Sequence, residues 1–231
     1  MDALADRLKV IEEVGADPPV VHLAADGDAA PGGVWRTGDD CYRVLAEACP
    51  PDTRTLETGV GISTVLFARW QARHTAVVPW QGEVDRCRSY FASRGIADEV
   101  TFVVGRSDEV LPALPREEID VFLIDGSHGF PAPVIDWYYG ASRLRRGGLL
   151  VVDDVQLATV SRSLVWYLDL DPRWTRVAGT GKWSAWRRES EGPLDEDWTQ
   201  QTFVGSPHRG WRERVTGAAR QVARRVARRS R

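Results

Sequence analysis

From residue 53 onward the chain alternates short apolar runs with helix-length amphipathic ones, and that alternation constrains the fold more than any other feature. Strands are expected at 53–57, 75–78, 100–104, 121–124 and 149–152, with helices at about 63–73, 82–94, 107–113, 131–144 and 159–169 following them in turn. Val121-Phe122-Leu123-Ile124 and Leu149-Leu150-Val151-Val152 are uninterrupted apolar runs, as in strands covered on both faces. Gly147-Gly148 reads as the cap that ends the fourth of these helices, at about 131–144. Two last strands, 174–178 and 183–188, are joined by Gly179-Thr180-Gly181-Lys182, a hairpin signal. The expected class is α/β: a doubly wound, mostly parallel seven-stranded sheet ending in an antiparallel β-hairpin.

Two helices precede the alternation. Residues 2–14 place Leu4, Leu8 and Ile11 on one face, and a second helix runs from the Thr37-Gly38-Asp39-Asp40 start to Ala48, stopped by Pro50-Pro51. Together they would form a lid or cap on a catalytic domain spanning 1–190. With 231 residues, 43% of them hydrophobic and 27% charged, one domain with an ample core is expected. Met1-Asp2-Ala3-Leu4-Ala5-Asp6 carries no basic, apolar leader, and no run approaches the roughly 20 apolar residues of a membrane span. Cys41, Cys49 and Cys87 are scattered without metal spacing, so reduced thiols and a cytoplasmic location are expected.

Chemistry concentrates where the expected strands end. Leu56-Glu57-Thr58-Gly59-Val60-Gly61-Ile62-Ser63-Thr64 reads as a strand end, a tight turn and the opening of a helix, a shape in which backbone can lie close to a ligand. A Walker-type phosphate loop would need a Lys-Ser/Thr pair after the second glycine, and none follows. A dinucleotide fingerprint would place a small residue where Thr64 stands.

The Glu-x-Gly-x-Gly-x-Ser/Thr grammar resembles the cofactor loop of class I S-adenosylmethionine-dependent methyltransferases, and the strand and helix order over roughly 35–188 is similar to their Rossmann-like fold. The resemblance implies that Glu57, Gly59, Gly61, Ser63 and Thr64 hold the methionine end of S-adenosylmethionine, with Glu57 facing its amino group. It places Ser107 and Asp108, in Gly105-Arg106-Ser107-Asp108, beside the adenine; the same two residues could equally serve as a helix cap and first-turn acid.

Asp125-Gly126-Ser127-His128 and Asp153-Asp154 follow the fourth and fifth expected strands, bringing three carboxylates and an imidazole to one edge. Three unpaired acids would raise one another's pKa, and a divalent cation would remove the conflict. The pattern is similar to metal-assisted small-molecule O-methyltransferases of the catechol and sugar-tailoring types. That likeness implies Asp125, Asp153 and Asp154 as ligands of a divalent metal such as Mg²⁺, with Asp125 also beside the cofactor and at the reaction centre. Asp125 and Asp153 could instead cap helices. His128 stands where the catechol-type enzymes carry a basic catalytic residue, and a neutral imidazole there can take a hydroxyl proton; a loop-shaping role is the alternative. The expected reaction is methyl transfer to a hydroxyl of a small sugar or phenolic acceptor.

One position departs from the pattern. Val78 stands where the second strand of such enzymes ends in an acid that binds the ribose; Gln81 could bond the ribose and Trp80 stack on the adenine. A non-catalytic methyltransferase-like binding protein is therefore the alternative expectation. Trp35-Arg36-Thr37 could reach over the cofactor, and Trp137, Tyr138 and Tyr139 could line a substrate cleft.

Charge is unevenly placed. Nine arginines against Glu213 give residues 206–231 a net +8, leaving −11 on the rest. Residues 191–231 are expected to form a polar linker and a basic helix (211–231) with a thin Ala/Val face, suited to solvation or weak contact with an anionic membrane. Nucleic acid is not expected, because the acidic body would repel a phosphate backbone.

Overall fold

The computed structural model describes residues 3–23, 32–191 and 194. The basic C-terminal helix and most of the linker expected before it lie outside the described residues.

Strands β1 (Arg54–Thr58), β2 (Arg73–Val78), β3 (Thr101–Val104), β4 (Ile119–Ile124), β5 (Leu144–Val152), β6 (Trp174–Gly179) and β7 (Ser184–Arg188) form one sheet in the order β3-β2-β1-β4-β5-β7-β6. The first five strands are parallel, and β7 pairs antiparallel with both β5 and β6. Alternate side chains of the central strands feed two separate cores. Val121, Leu123 and Val151 join one; Phe122, Ile124, Leu150 and Val152 join the other. This two-sided burial is why those strands read as continuous apolar runs rather than alternating ones.

Helices α1 (Ala3–Ala16), α2 (Asp39–Ala48), α3 (Ile62–Arg69) and α4 (Gln81–Arg94) contribute to the first core. Arg7 Nε donates to Ala46 O at 2.8 Å and Trp70 Nε1 to Arg7 O at 3.1 Å, fastening α1 to α2 and to the end of α3. The second core takes up α5 (Ser107–Val110), which runs into a 3₁₀ turn at Leu111–Ala113, and α6 (Ala132–Gly140). It also includes a helical run built of α7 (Ala158–Val160), a π-helical turn at Ser161–Val165 and α8 (Trp166–Leu170). Gly140 lets α6 lie directly on β4: a Cβ there would come within 2.3 Å of the Phe122 ring. No helix among the described residues is long and apolar enough to cross a membrane.

Two expectations are corrected. The helix expected to run to 73 stops at Arg69, because Gln71 takes a left-handed conformation (φ 60°) and Arg73 already pairs with Arg54 in the sheet. Gly147-Gly148 does not cap a helix; α6 and its 3₁₀ extension (Ala141–Arg143) end earlier, and both glycines lie inside β5. Between the pairs Ile119↔Leu144 and Val121↔Leu149, β5 spends more residues than β4. The excess loops out with Gly147 at φ +79°, and a Cβ on Gly148 would sit 2.9 Å from Arg145 O and 3.0 Å from Asp120 O.

Candidate active site

The glycine loop is shaped by one close contact. Gly59 has φ +107°, and a Cβ on it would meet the Asp125 carbonyl oxygen at 2.3 Å, so the β1 and β4 loops touch through a position that only glycine fits. Gly61 is the opposite case. Its added Cβ would meet no protein atom within 4 Å, and the residue lines a cavity, so a side chain would take up ligand space. The loop therefore fits a ligand brought against its backbone.

Behind the loop lies a buried polar brace. The Gly61 N–H donates to Thr64 Oγ1 at 2.9 Å, and Thr64 Oγ1 in turn donates to Glu57 Oε1. His74 Nε2 lies 3.0 Å from the same oxygen, with its Nδ1 2.7 Å from Thr55 Oγ1. Glu57 and Thr64 are both fully buried and line neither cavity described below. Expected as direct cofactor contacts, they are placed behind the loop instead, because the brace draws both side chains inward. Glu57 Oε2 is buried without a hydrogen-bond partner.

Two adjoining cavities open at the carboxyl ends of the strands, where ligands of open α/β sheets bind. The larger, about 460 Å³, is lined by Gly59, Gly61 and Ser63 together with Trp80, Asp125, His128, Asp153 and Asp154. The smaller, about 300 Å³, is lined by Ser107 and Asp108 and shares Gly59, Trp80, Gly126 and Ser127 with the first. Apart from Glu57 and Thr64, every residue expected at the site thus borders one continuous cleft. The Asp108 carboxylate is engaged by Arg106, whose Nε and Nη2 lie 3.1 and 3.0 Å away, and this hydrogen bonding holds its pKa below the usual range. Trp35, expected to reach over the cofactor, borders the larger cavity, whereas none of Trp137, Tyr138 and Tyr139 lines either cavity and Trp137 is buried in the second core.

Several lining groups carry no sequence signal. His22 stacks on Trp35 with ring centroids 4.2 Å apart, and its Nδ1 lies 2.8 Å from Glu83 Oε1. Both His22 and Glu83 line the larger cavity, beside the Val78 end of β2 that lacks an acid. Glu83 belongs to the first turn of α4, and 61 residues separate it from His22, so no local pattern announces the pair. Thr37 is buried, with Oγ1 at 3.1 Å from Asp153 Oδ2 and 3.4 Å from Asp125 Oδ2.

The acid cluster also differs from expectation. Lys182, in the β6–β7 turn, places Nζ 2.6 Å from Asp154 Oδ1 and 3.0 and 3.2 Å from the two oxygens of Asp153. His128 Nε2 lies 3.3 Å from Asp154 Oδ2 and 3.8 Å from Asp125 Oδ1. Burial, and next the neighbouring Asp153 charge, push the pKa of Asp125 well above the ordinary carboxylate range. Burial opposes ionisation of Asp154, but the hydrogen bonds from Lys182 and Gln156 outweigh it and lower its pKa. For Lys182, burial is likewise outweighed by hydrogen bonds to Asp154 and Asp153, and the ammonium is held charged. Burial lowers the pKa of His128, keeping the ring neutral near pH 7.

As they are arranged here, Asp125, Asp153 and Asp154 do not fit a divalent metal, because the Lys182 ammonium relieves the repulsion between the acids and engages three of the four carboxylate oxygens of Asp153 and Asp154. Among the described residues, no group of three or more His, Cys, Asp or Glu side chains is arranged to hold a metal ion.

The strand order, the antiparallel closing hairpin and a cleft built on the β1 glycine loop together define the class I S-adenosylmethionine-dependent methyltransferase fold. Residues 56–155 match the model of a methyltransferase domain family. No curated protein is significantly similar to the chain. Among solved structures, it is similar to the O-methyltransferase TomG from Streptomyces achromogenes, in complex with S-adenosylmethionine, with 20% identity over 82% of this chain and 91% of that one and a TM-score of 0.57. It is also similar to the S-adenosylhomocysteine-bound methyltransferase PaMTH1 from Podospora anserina, with 16% identity over 82% and 89% of the two chains and a TM-score of 0.53.

Proposed function

We propose that the chain transfers a methyl group from S-adenosylmethionine to a hydroxyl oxygen of a small molecule. The observation that carries this reading is the place of His128: a neutral imidazole in the wall of the same cavity as Gly59, Gly61 and Ser63, and beside Asp154. When bound, the cofactor supplies a methyl carbon on a sulfonium, and the electron pair of the breaking C–S bond returns to sulfur as the new C–O bond forms.

The chain's own residues divide the remaining work. Gly59 and Gly61 let backbone approach the methionine end, while Gly105, Ser107 and Ala132 border the smaller cavity expected to take the adenine. The neutral His128 ring accepts the hydroxyl proton of the acceptor on one ring nitrogen, and ionised Asp154, 3.3 Å from Nε2, stabilises the imidazolium that results. Thr159 Oγ1 donates to the His128 carbonyl oxygen at 2.6 Å, holding the loop that carries the base. Small molecules fit the size of the larger cavity, in which His22, Trp35 and Tyr42 supply aromatic walls.

Calorimetric titration with S-adenosylmethionine and S-adenosylhomocysteine, followed by a screen of hydroxylated metabolites with labelled methyl donor, tests the proposal. Binding of both with label transfer to an oxygen is the expected result; binding of a nicotinamide dinucleotide in their place overturns it. The second reading, a binding protein without turnover, is favoured by Val78 at the end of β2 and calls for cofactor binding with no transfer to any acceptor.

A further inference from the structure

We propose that Lys182 is the resident cation of this site: its ammonium, tethered between Asp153 and Asp154, stands in the place of a divalent metal and presents its charge to the acceptor oxygen. The second half of this statement rests on the methyl-transfer reading above; the first half does not.

Three of the four carboxylate oxygens of Asp153 and Asp154 lie 2.6–3.2 Å from Lys182 Nζ. The fourth, Asp154 Oδ2, faces His128 Nε2 at 3.3 Å, and Asp153 Oδ2 also accepts from Thr37 at 3.1 Å. A magnesium or calcium ion would have to sit about 2.0–2.6 Å from those same atoms. It could do so only by expelling the ammonium, because the two cations cannot share these ligands.

The position of Lys182 is built rather than incidental. Its carbonyl oxygen accepts from the Val155 N–H at 2.8 Å, and its own N–H donates to Thr180 Oγ1 at 3.2 Å. The next residue, Trp183, is buried and donates from Nε1 to Asp40 Oδ1 at 3.0 Å. The β6–β7 turn is thereby pinned to the loop that follows β5, and the lysine stem can deliver its charge only into the larger cavity, which it lines.

An ammonium has three donors. The two carboxylates take two of them, one shared across both Asp153 oxygens, and the third is left for a ligand in the cavity. A metal chelates two adjacent oxygens, whereas one N–H meets a single oxygen. The acceptor class follows: a molecule offering one hydroxyl to the site, with no need for the vicinal pair that metal-assisted enzymes exploit.

The test uses the full chain and Mn²⁺ alone, read by electron paramagnetic resonance and calorimetry, so that neither cofactor nor acceptor enters the measurement. Wild-type protein is expected to bind no stoichiometric Mn²⁺ up to about 1 mM, and Lys182→Met, which keeps the stem and removes the charge, to bind at least about tenfold more tightly. Lys182→Arg keeps the charge and is expected to behave as wild type, which preserves the test if the methionine variant does not fold. One tightly bound Mn²⁺ per wild-type chain overturns the proposal, as does an affinity unchanged by removal of the ammonium. Titration with S-adenosylmethionine is a separate measurement, so failure of the methyl-transfer reading is distinguishable from failure of this one.

Discussion

Asp136 is the sharpest point at which the fold can be tested against its electrostatics. It lies in α6, fully buried, and neither carboxylate oxygen has a hydrogen-bond partner. Burial raises its pKa to about 6, although the Thr58 and Ser107 hydroxyls nearby draw it back somewhat. In the unfolded chain an aspartate titrates near 3.9. Between these values the folded state keeps a proton that the unfolded state releases, so stability falls as pH rises through about 4–6 and the whole penalty is present above pH 6. A displacement of about two pKa units corresponds to about 3 kcal/mol at pH 7. Asp136→Asn keeps the shape and cannot ionise, so it removes that penalty, less whatever its own amide loses by being buried without a well-formed partner. Urea unfolding followed by tryptophan fluorescence at pH 4.5 and 7.5 is the assay. The variant should be more stable than wild type by about 1–3 kcal/mol at pH 7.5, with the gain smaller by about 2 kcal/mol at pH 4.5. A difference that is the same at both pH values would show that Asp136 is not ionised against its environment, and the reasoning would be wrong.

Other outcomes follow from particular contacts. Gly59→Ala puts a Cβ against the Asp125 carbonyl at a positive φ; it should lower the unfolding midpoint and weaken S-adenosylmethionine binding by calorimetry at least tenfold. Gly140→Ala has an ordinary φ but meets the Phe122 ring, so it should cost about 1–3 kcal/mol in urea unfolding while leaving cofactor affinity nearly unchanged. His128→Ala should reduce turnover about 10²–10⁴-fold at nearly constant cofactor affinity. Because burial lowers the wild-type His128 pKa, the midpoint of the rising acid limb should fall below about 6.5 in a pH–rate profile with labelled methyl donor. Chelator at about 5 mM should leave wild-type methyl transfer unchanged, since the larger cavity carries its own ammonium.

The sequence by itself determined what is written in contiguous residues. Doubly buried strands must be apolar throughout, so β4 and the end of β5 were legible, and with them the α/β order and the closing hairpin. The Gly59–Thr64 loop was legible because turn, close approach and helix start are all local backbone demands, and the strand ends follow from the topology, so Asp125, His128, Asp153 and Asp154 could be placed at one edge. Tertiary structure alone decided what those residues face. Glu57 turns inward because His74, on the neighbouring strand, and Thr64, in the following helix, compete for its carboxylate. Gly147-Gly148 serve an excursion within β5 because its register against β4 requires extra residues there. His22 reaches Glu83, and Lys182 reaches Asp153 and Asp154, across 61, 29 and 28 residues. The sign of the charge between three acids depends on whether a cation from elsewhere in the chain comes within about 3 Å, where Coulomb attraction at low dielectric is large, and no spacing along the sequence encodes that distance.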